Sequence, residues 1–449
     1  MLQKATQDFK LLNDIRDKSG CTILMLLARG ESRTNLVKLI KSRIDEENKK
    51  VTKKLDLLNK ELKIIQQLMF SMNFEDSEII FKQIIDNNMC DINLQDDNGN
   101  TALVHACINN NDKFIKLLLN NKLCDVNIRT IDNSTAIMYC NNKDRLELLL
   151  EHKLCDINLQ DDSGNTALMK ACFNGNTNIV KTLLQYKKYE CNTNIQNHYG
   201  RTAIMIAFEM LGDRSDRSDI INILMKFSKY NYNLQDKRGI TFLMQILSEP
   251  SMINSLILKR IIQKSINLTS DLDQQDVHGM TTLMYAVQTR KSKKKSTIEK
   301  IINKHQNYNI QDNEGKTSLI HSVEYNKSAI TNLLIKKDCN INIKDTTNKT
   351  AFWYSLRKET LVMANMFINL YILRKDVSFL EYVDDIKNLL NSGNGMLKDK
   401  MKRTFKKKII NLYETEFKQI LDIQDNIFTK CYNNLGDFNT VKIMIEYLI

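Results

Sequence analysis

The chain has 449 residues, of which 42% are hydrophobic, and carries a formal net charge of +12. This composition is sufficient for a buried core, and the low proline and glycine content argues against long disordered linkers. No segment has the length and apolarity of a membrane-spanning helix, and residues 1–20 are too polar for a signal peptide. We therefore expect an intracellular protein with no membrane partner.

Residues 1–40 are predicted to contain a turn at Asp17 and two helices, the second beginning at Leu36. Residues 41–76 are a charged insertion in which apolar residues recur at spacings of four and three, and this pattern predicts an amphipathic helix. Those apolar residues are Val51, Leu55, Leu58, Leu62, Ile65 and Met69. Packing of this helix against the rest of the chain is favoured over a dimerising coiled coil, because the seam is shorter than three heptads. The protein is therefore expected to be a monomer.

Residues 77–370 contain about eight copies of one block, and residues 1–40 contain a degenerate first copy. The block reads Asp, two variable residues, Gly, any residue, Thr, a small residue, then Leu or Ile, and its clearest copies begin at Asp96 and Asp161. The recurrent threonines are Thr22, Thr101, Thr135, Thr166, Thr202, Thr241, Thr281, Thr317 and Thr350. From Thr101 onward they are 31 to 40 residues apart, a period that predicts a stack of small similar units.

Residues 96–160 show how one unit is built. A turn containing Gly99 precedes Thr101, whose hydroxyl is expected to cap a short first helix. A more apolar second helix follows over residues 114–119, and residues 124–127 run extended into the next turn. Each helix buries its apolar face only by stacking on the neighbouring units.

This pattern resembles the ankyrin repeat over roughly residues 14–370. The shared features are the Asp-x-x-Gly-x-Thr-Ala-Leu block, the second-helix run at 178–184, and the Asp-Val/Ile-Asn arm. The resemblance implies an all-α solenoid of helix-turn-helix units with β-hairpin-like arms, and it implies protein–protein interaction without catalysis. Two departures stand out: alanine commonly replaces the family's proline, and its histidine is mostly apolar, as at Val104 and Met169. The residue usage resembles the expanded ankyrin families of large DNA viruses and protists.

Eight of the ten cysteines occupy two recurrent positions of the repeat. These are Cys90, Cys124, Cys155, Cys191 and Cys339 at one position and Cys107, Cys140 and Cys172 at the other. A small, weakly polar side chain at a buried packing site explains them, and no pair has the close spacing of a zinc site. The sequence therefore predicts neither disulfides nor metal ligands.

Motifs of enzymes are absent from the sequence. It has no phosphate-binding glycine loop, no His-Glu-x-x-His and no Gly-x-Ser-x-Gly. The recurrent aspartates, such as Asp96 and Asp161, each begin a turn, for which hydrogen bonding to the turn backbone is a sufficient role. We predict no catalytic residues and no cofactor.

Partner binding is predicted on the concave surface formed by the hairpin tips and the inner helices, because in ankyrin-like proteins the variable turn residues line this surface. The tips in the middle of the array are basic and aromatic, and tyrosine and arginine are typical binding hot spots. The predicted partner-binding residues are His198, Tyr199, Arg201, Lys237, Arg238 and His278. The alternative is that the tips are only solvated.

Three expanded connections between the two helices of a unit fall at residues 212–219, 248–251 and 289–296. They are either tolerated loops or a second, charged contact surface. Residues 371–430 form a basic helical extension with the run 400–408, and residues 431–449 are a capping half-repeat or the start of further repeats. A solvated helix face explains the basic run better than a nuclear signal or a nucleic-acid patch.

Three arm asparagines, Asn127, Asn158 and Asn342, resemble the ankyrin asparagines that asparaginyl hydroxylases modify, each following a leucine by eight residues. The alternative is that they only bond the turn backbone. We interpret the chain as an interaction scaffold in the cytoplasm, or in a host cytoplasm if the source is viral, with the nucleus as an alternative. Two alternatives remain: an adaptor that recruits targets to a ubiquitin ligase through the C-terminal module, and nucleic-acid association through the basic helix.

Overall fold

A computed structural model describes ten segments of the chain together with residues 35, 38, 82, 85, 188, 403 and 407. The segments are 16–30, 91–152, 154–186, 190–210, 218–226, 230–248, 256–288, 295–337, 339–357 and 361–374. The predicted insertion at 41–76 lies outside the described residues. The basic extension and the capping half-repeat also lie outside the described residues, apart from residues 371–374, 403 and 407.

The chain divides into two compact units, Met1–Lys237 and Arg238–Ile449. The helices described in the first unit are α1 Ile23–Ala28, α2 Ala102–Ile108, α3 Asp112–Leu119, α4 Lys143–Glu151, α5 Ala167–Asn174, α6 Thr177–Gln185, α7 Ala203–Glu209 and α8 Ser218–Lys226. A 3₁₀ helix at Ala136–Tyr139 replaces the first α-helix of the repeat that begins at Thr130.

The second compact unit repeats the same alternation of short and longer helices. Its described helices are α9 Phe242–Ser248, α10 Leu256–Leu268, α11 Thr282–Gln288, α12 Lys295–Lys304, α13 Ser318–Glu324, α14 Ser328–Ile335, α15 Ala351–Arg357 and α16 Leu361–Arg374. Helix α8 begins at Ser218, α9 ends at Ser248 and α12 begins at Lys295. Five residues that were placed in the expanded connections are therefore helical: Ser218, Asp219, Ser248, Lys295 and Ser296.

Within each compact unit the helices stack in two layers. First helices contact first helices of the next repeat, as α5 contacts α7, and second helices contact second helices, as α4 contacts α6. The same holds for α11 with α13 and for α12 with α14. The predicted all-α repeat solenoid of the ankyrin type is confirmed. Among the described residues, extended pairing is limited to isolated bridges at the base of turns, such as Gln311 with Thr317.

The recurrent threonines begin the first helices, as predicted. The Thr101 hydroxyl accepts a hydrogen bond from the backbone N–H of Val104 at 3.3 Å, and Thr166 and Thr317 do the same. Thr202 is different, because its hydroxyl is paired with the buried Tyr230 hydroxyl. Capping satisfies an orphan N–H at the start of helices too short to stand alone.

Most turn tips are fixed by the aspartate that begins the block, while Thr130 and Asn197 occupy that position in two repeats. One Asp96 carboxylate oxygen accepts the backbone N–H groups of Asn98 (3.0 Å) and Asn100 (2.8 Å). Gly99 between them has φ +72°, which glycine adopts at little cost, and the tips that lack glycine use asparagine in the same conformation, as at Asn133. The predicted role of the aspartates in the turn is confirmed.

Neighbouring tips are joined by two sets of hydrogen bonds. The backbone N–H of Ile131 donates to the Asn98 carbonyl at 2.9 Å, and equivalent bonds recur along both compact units. In addition, Gln95 Nε2 donates to the carbonyls of Gly99 and Arg129, both at 2.6 Å. Gln160, Gln196, Gln275 and Gln311 repeat this bridge. This glutamine ladder was not predicted from the sequence.

The second carboxylate oxygen of the block aspartate is bound by the residue nine positions later. The pairs are Asp96–His105 (2.7 Å), Asp161–Lys170 (3.1 Å), Asp276–Tyr285 (2.6 Å), Asp312–His321 (2.7 Å) and Asp345–Tyr354 (2.6 Å). The family's histidine lies one position earlier, where this chain is mostly apolar. In these repeats the aspartate is therefore bound by the residue that follows the family's histidine position.

The described cysteines are free and mostly buried, as predicted for packing residues. Burial raises the pKa of the Cys124 and Cys155 thiols to about 12, so both remain protonated and unreactive at neutral pH. Cys90 lies outside the described residues. In the part of the chain that the structure describes, no helix combines the length and apolarity needed to cross a membrane.

Candidate protein-binding surface

The six predicted partner-binding residues lie on or beside the tips. His198, Tyr199, Arg201 and Lys237 belong to the first compact unit, and Arg238 and His278 to the second. All are exposed except Arg201, which is half-buried. The first compact unit brings two of them, Tyr199 and Arg201, together at a pocket, and the other four do not line it.

The pocket has a volume of about 420 Å³ and lies between the first helices of two successive repeats. Helix α5 contributes Met169, Lys170, Phe173 and Asn174, helix α7 contributes Ile206 and Glu209, and Met210 follows α7. The tip residues Asn165, Asn197, Tyr199 and Arg201 complete it. Phe173 is 55% exposed and Tyr199 63% exposed, so two aromatic side chains border the cavity and face solvent.

Charged groups in the pocket are held by ion pairs. Arg201 is paired with Glu209, and its guanidinium lies 5.9 Å from the centre of the Tyr199 ring. Lys170 Nζ is 3.1 Å from Asp161 Oδ2 and 5.7 Å from the centre of the Tyr139 ring. These contacts orient the two cations beside aromatic faces, where partly desolvated charges interact favourably with the ring.

The predicted surface included the inner helices, but none of the helix residues of this pocket was named from the sequence. Phe173 follows the buried Cys172 in α5, and its exposure depends on the rotation of that helix against α7. The sequence does contain a signal for Phe173. A large aromatic residue in a helix whose core residues are small has little space on the packed side and is therefore expected to face solvent. The tip prediction alone did not include the helix residues Phe173 and Met210.

The asparagines predicted as hydroxylation sites link successive arms. Asn127 Nδ2 donates to the Leu154 carbonyl at 2.5 Å, and its Oδ1 accepts the Asp156 N–H at 2.9 Å. Asn158 repeats the pattern with the next arm, while the Asn342 Oδ1 atom accepts from the Tyr371 hydroxyl at 3.1 Å. The structural role explains these residues, and hydroxylation remains a prediction.

A buried polar cluster lies where the first repeat meets the second. Cys21 Sγ is 3.2 Å from Asp96 Oδ2 and 3.7 Å from His105 Nε2, and His105 Nε2 is 2.7 Å from the same carboxylate oxygen. The arrangement does not form a nucleophilic triad, because one imidazole nitrogen faces both partners. Burial, with the hydrogen bond to Asp96, raises the pKa of the thiol to about 11.

His305 gives the stability of the second compact unit a pH dependence. Burial lowers the pKa of His305 below its ordinary value of 6.5, and Asp273, 3.0 Å away, and Asp271 oppose this only partly. The unfolded chain therefore binds more protons as the pH falls from about 6.5 towards the lower folded pKa, and stability decreases over that interval.

We therefore expect His305→Phe to lose less stability than the wild type between about pH 7 and pH 5. Urea unfolding followed by fluorescence of Trp353, the single tryptophan, would measure this. Comparison at about pH 8, where the histidine is neutral in both states, corrects for the packing change. Parallel loss in both proteins would contradict the assignment.

Two overlapping ranges of the chain match a known protein family. Residues 68–161 and 140–236 match the family model for ankyrin repeats. Ankyrin repeats are present in this chain. Such repeats are generally non-enzymatic modules for protein–protein interaction. The crystal structure of EF0377, an ankyrin repeat protein, matches with 18% identity and a TM-score of 0.37, covering 47% of this chain and 98% of the other. A search of curated proteins found no match.

Proposed function

We propose that the chain is a non-enzymatic interaction scaffold that binds a protein partner on the surface around the α5–α7 pocket. The observation that supports this most strongly is the pairing of a cavity of about 420 Å³ with two solvent-facing aromatic residues, Phe173 and Tyr199. Exposed aromatic side chains beside a concave site are typical of interfaces. Within this proposal the chain acts inside the cell and as a monomer.

The chemistry of the pocket fits an apolar side chain of the partner. Met169 and Ile206 form an apolar lining. Asn197 Nδ2 donates a hydrogen bond to Asn165 Oδ1 at 2.9 Å, so these two polar atoms keep a hydrogen-bond partner when water leaves the pocket. Arg201 and Glu209 neutralise each other, so the pocket presents no unpaired charge at this point. An inserted aliphatic or aromatic group would bury apolar surface, the main source of affinity at interface centres.

Affinity capture from the native cell tests the proposal. The wild-type chain and a Phe173→Ala/Tyr199→Ala double variant serve as baits, and binding to each captured protein is then measured with purified components. We expect at least a tenfold loss of affinity in the double variant, equivalent to about 1.4 kcal/mol.

A matched control is Leu154→Ala, which truncates an exposed apolar side chain on an arm outside the pocket. Equal affinities of all three proteins for every partner would place the binding surface elsewhere. A photo-crosslinking residue in place of Tyr199 gives a second test, since a partner seated in the pocket should crosslink there more than at position 154.

A further inference from the structure

We propose that Cys21, Asp96 and His105 form a binding site for a zinc-class divalent cation that joins the first repeat to the second. These three residues, called here the Cys21 cluster, are all buried and bring one sulfur, one oxygen and one nitrogen within 4.8 Å of one another. Thiolate, carboxylate and imidazole are the donor types that zinc takes in proteins. Three protein ligands leave a fourth tetrahedral position for water.

The distances in the cluster are close to those of a coordinated ion. Ligand atoms of tetrahedral zinc lie about 3.3–3.6 Å apart, given bond lengths of about 2.0–2.3 Å. Cys21 Sγ is 3.2 Å from Asp96 Oδ2 and 3.7 Å from His105 Nε2, which brackets this range. The His105–Asp96 hydrogen bond of 2.7 Å must open by about 0.6 Å, a small side-chain rotation.

The cysteine distinguishes this cluster from the other aspartate pairs. Asp312 and His321 make the same 2.7 Å contact as Asp96 and His105. At the position of Cys21, four residues after the start of the block, the repeat preceding Asp312 has Met280. Cys21 is also outside the two recurrent cysteine positions that packing explains. The third donor is therefore particular to the first repeat.

Binding exchanges protons for the ion. The cation takes the place of the Cys21 thiol proton, which leaves to solvent, and His105 binds through Nε2 as the neutral imidazole with its proton on Nδ1. Because binding releases the thiol proton, affinity should increase with pH across the neutral range. Arg29 Nη1 lies 3.3 Å from Sγ, and since this residue is exposed, its side chain can turn to solvent when the cation binds.

The site would serve as a clamp on the N-terminal end of the array. Cys21 and Asp96 are 75 residues apart, with the 41–76 insertion between them. The protein contacts that hold residues 16–22 to the second repeat include the Arg16 Nη1 bond to the Gln95 carbonyl at 2.8 Å and the Asp97 N–H bond to the Ser19 carbonyl at 3.1 Å. A metal link between residues so far apart in the sequence would add to these contacts.

Cobalt(II) added to the purified full chain tests the site, because thiolate ligation gives near-ultraviolet charge-transfer absorption that nitrogen and oxygen ligands do not. We expect one cobalt per chain with this band in the wild type. Cys21→Ser should abolish the band, and His105→Gln should weaken binding at least tenfold. Matched controls are Cys172→Ser, which removes another buried cysteine, and His321→Gln, which removes the pair without a cysteine. Both should behave as wild type.

A second measurement needs no variant. Backbone hydrogen exchange of residues 16–30 should slow at least tenfold when zinc is added, while exchange of residues 318–335 stays unchanged. Absence of the band in the wild type, its persistence in Cys21→Ser, or equal exchange of residues 16–30 with and without zinc would each overturn the proposal. The cluster would then be a hydrogen-bonded packing contact.

Discussion

Replacing Phe352 with alanine is expected to lower the free energy of unfolding of the second compact unit by about 4 kcal/mol. The Phe352 side chain is completely buried, and its ring centre lies 6.0 Å from that of Phe367 and 5.4 Å from that of Tyr371. These residues join α15 to α16, so truncation leaves a cavity between the helices of the last described repeat. Urea unfolding followed by Trp353 fluorescence measures the loss.

The matched control is Val362→Ala, on the same pair of helices. Val362 is 50% exposed, so its truncation should change stability by no more than about 0.5 kcal/mol. If the two variants unfold at the same urea concentration, the aromatic contacts do not stabilise this end of the array. Helix α16 also continues to Arg374, beyond residue 370 where the array was expected to end, and Tyr371 belongs to this buried cluster.

Replacing Gly99 with alanine is expected to cost about 2–4 kcal/mol, the second largest effect. Gly99 has φ +72°, and a Cβ atom there would lie 2.7 Å from the backbone nitrogen of Ile131 and 2.9 Å from the backbone carbon of Thr130. Neither neighbour is a flexible side chain, so the two tips must separate and weaken the Ile131–Asn98 hydrogen bond. Hydrogen exchange of residues 91–140 reports this opening directly.

Gly30 provides the control for backbone strain alone. Its φ is +78°, but a Cβ atom there would have nothing within 4 Å. Gly30→Ala should therefore cost about 1 kcal/mol, and the excess at position 99 measures the close approach between tips. Equal costs at both positions would show that the tips can separate freely.

The repeat fold was predictable from sequence because its determinants are local. The aspartate, glycine and threonine of each block act within nine residues, in the turn and at the helix start, and their period is visible by inspection. The pairs nine residues apart, such as Asp276 with Tyr285, were also within reach of the sequence. The resemblance to ankyrin repeats does not predict them, because the family's histidine lies at the preceding position.

The pocket and the Cys21 cluster depend on contacts between repeats, which a one-dimensional pattern does not encode. Phe173 lines a cavity only because α5 and α7 pack at a particular rotation. Cys21 and His105 are 84 residues apart. Because the 41–76 insertion lengthens the spacing between the first two repeats, the repeat period does not indicate that these residues meet. Of the six tip residues chosen from sequence, Tyr199 and Arg201 line the pocket, and the remaining four do not.

The links between neighbouring repeats have a consequence for how this protein can change over evolutionary time. The glutamine ladder, the tip-to-tip bonds and the arm asparagines Asn127 and Asn158 all bind backbone atoms of the adjoining repeat. Every amino acid except proline supplies those atoms, so most tip side chains can be exchanged without disturbing the neighbour. If the proposed function holds, a substitution at Tyr199 would change partner binding without breaking the hydrogen bonds that attach its repeat to the next.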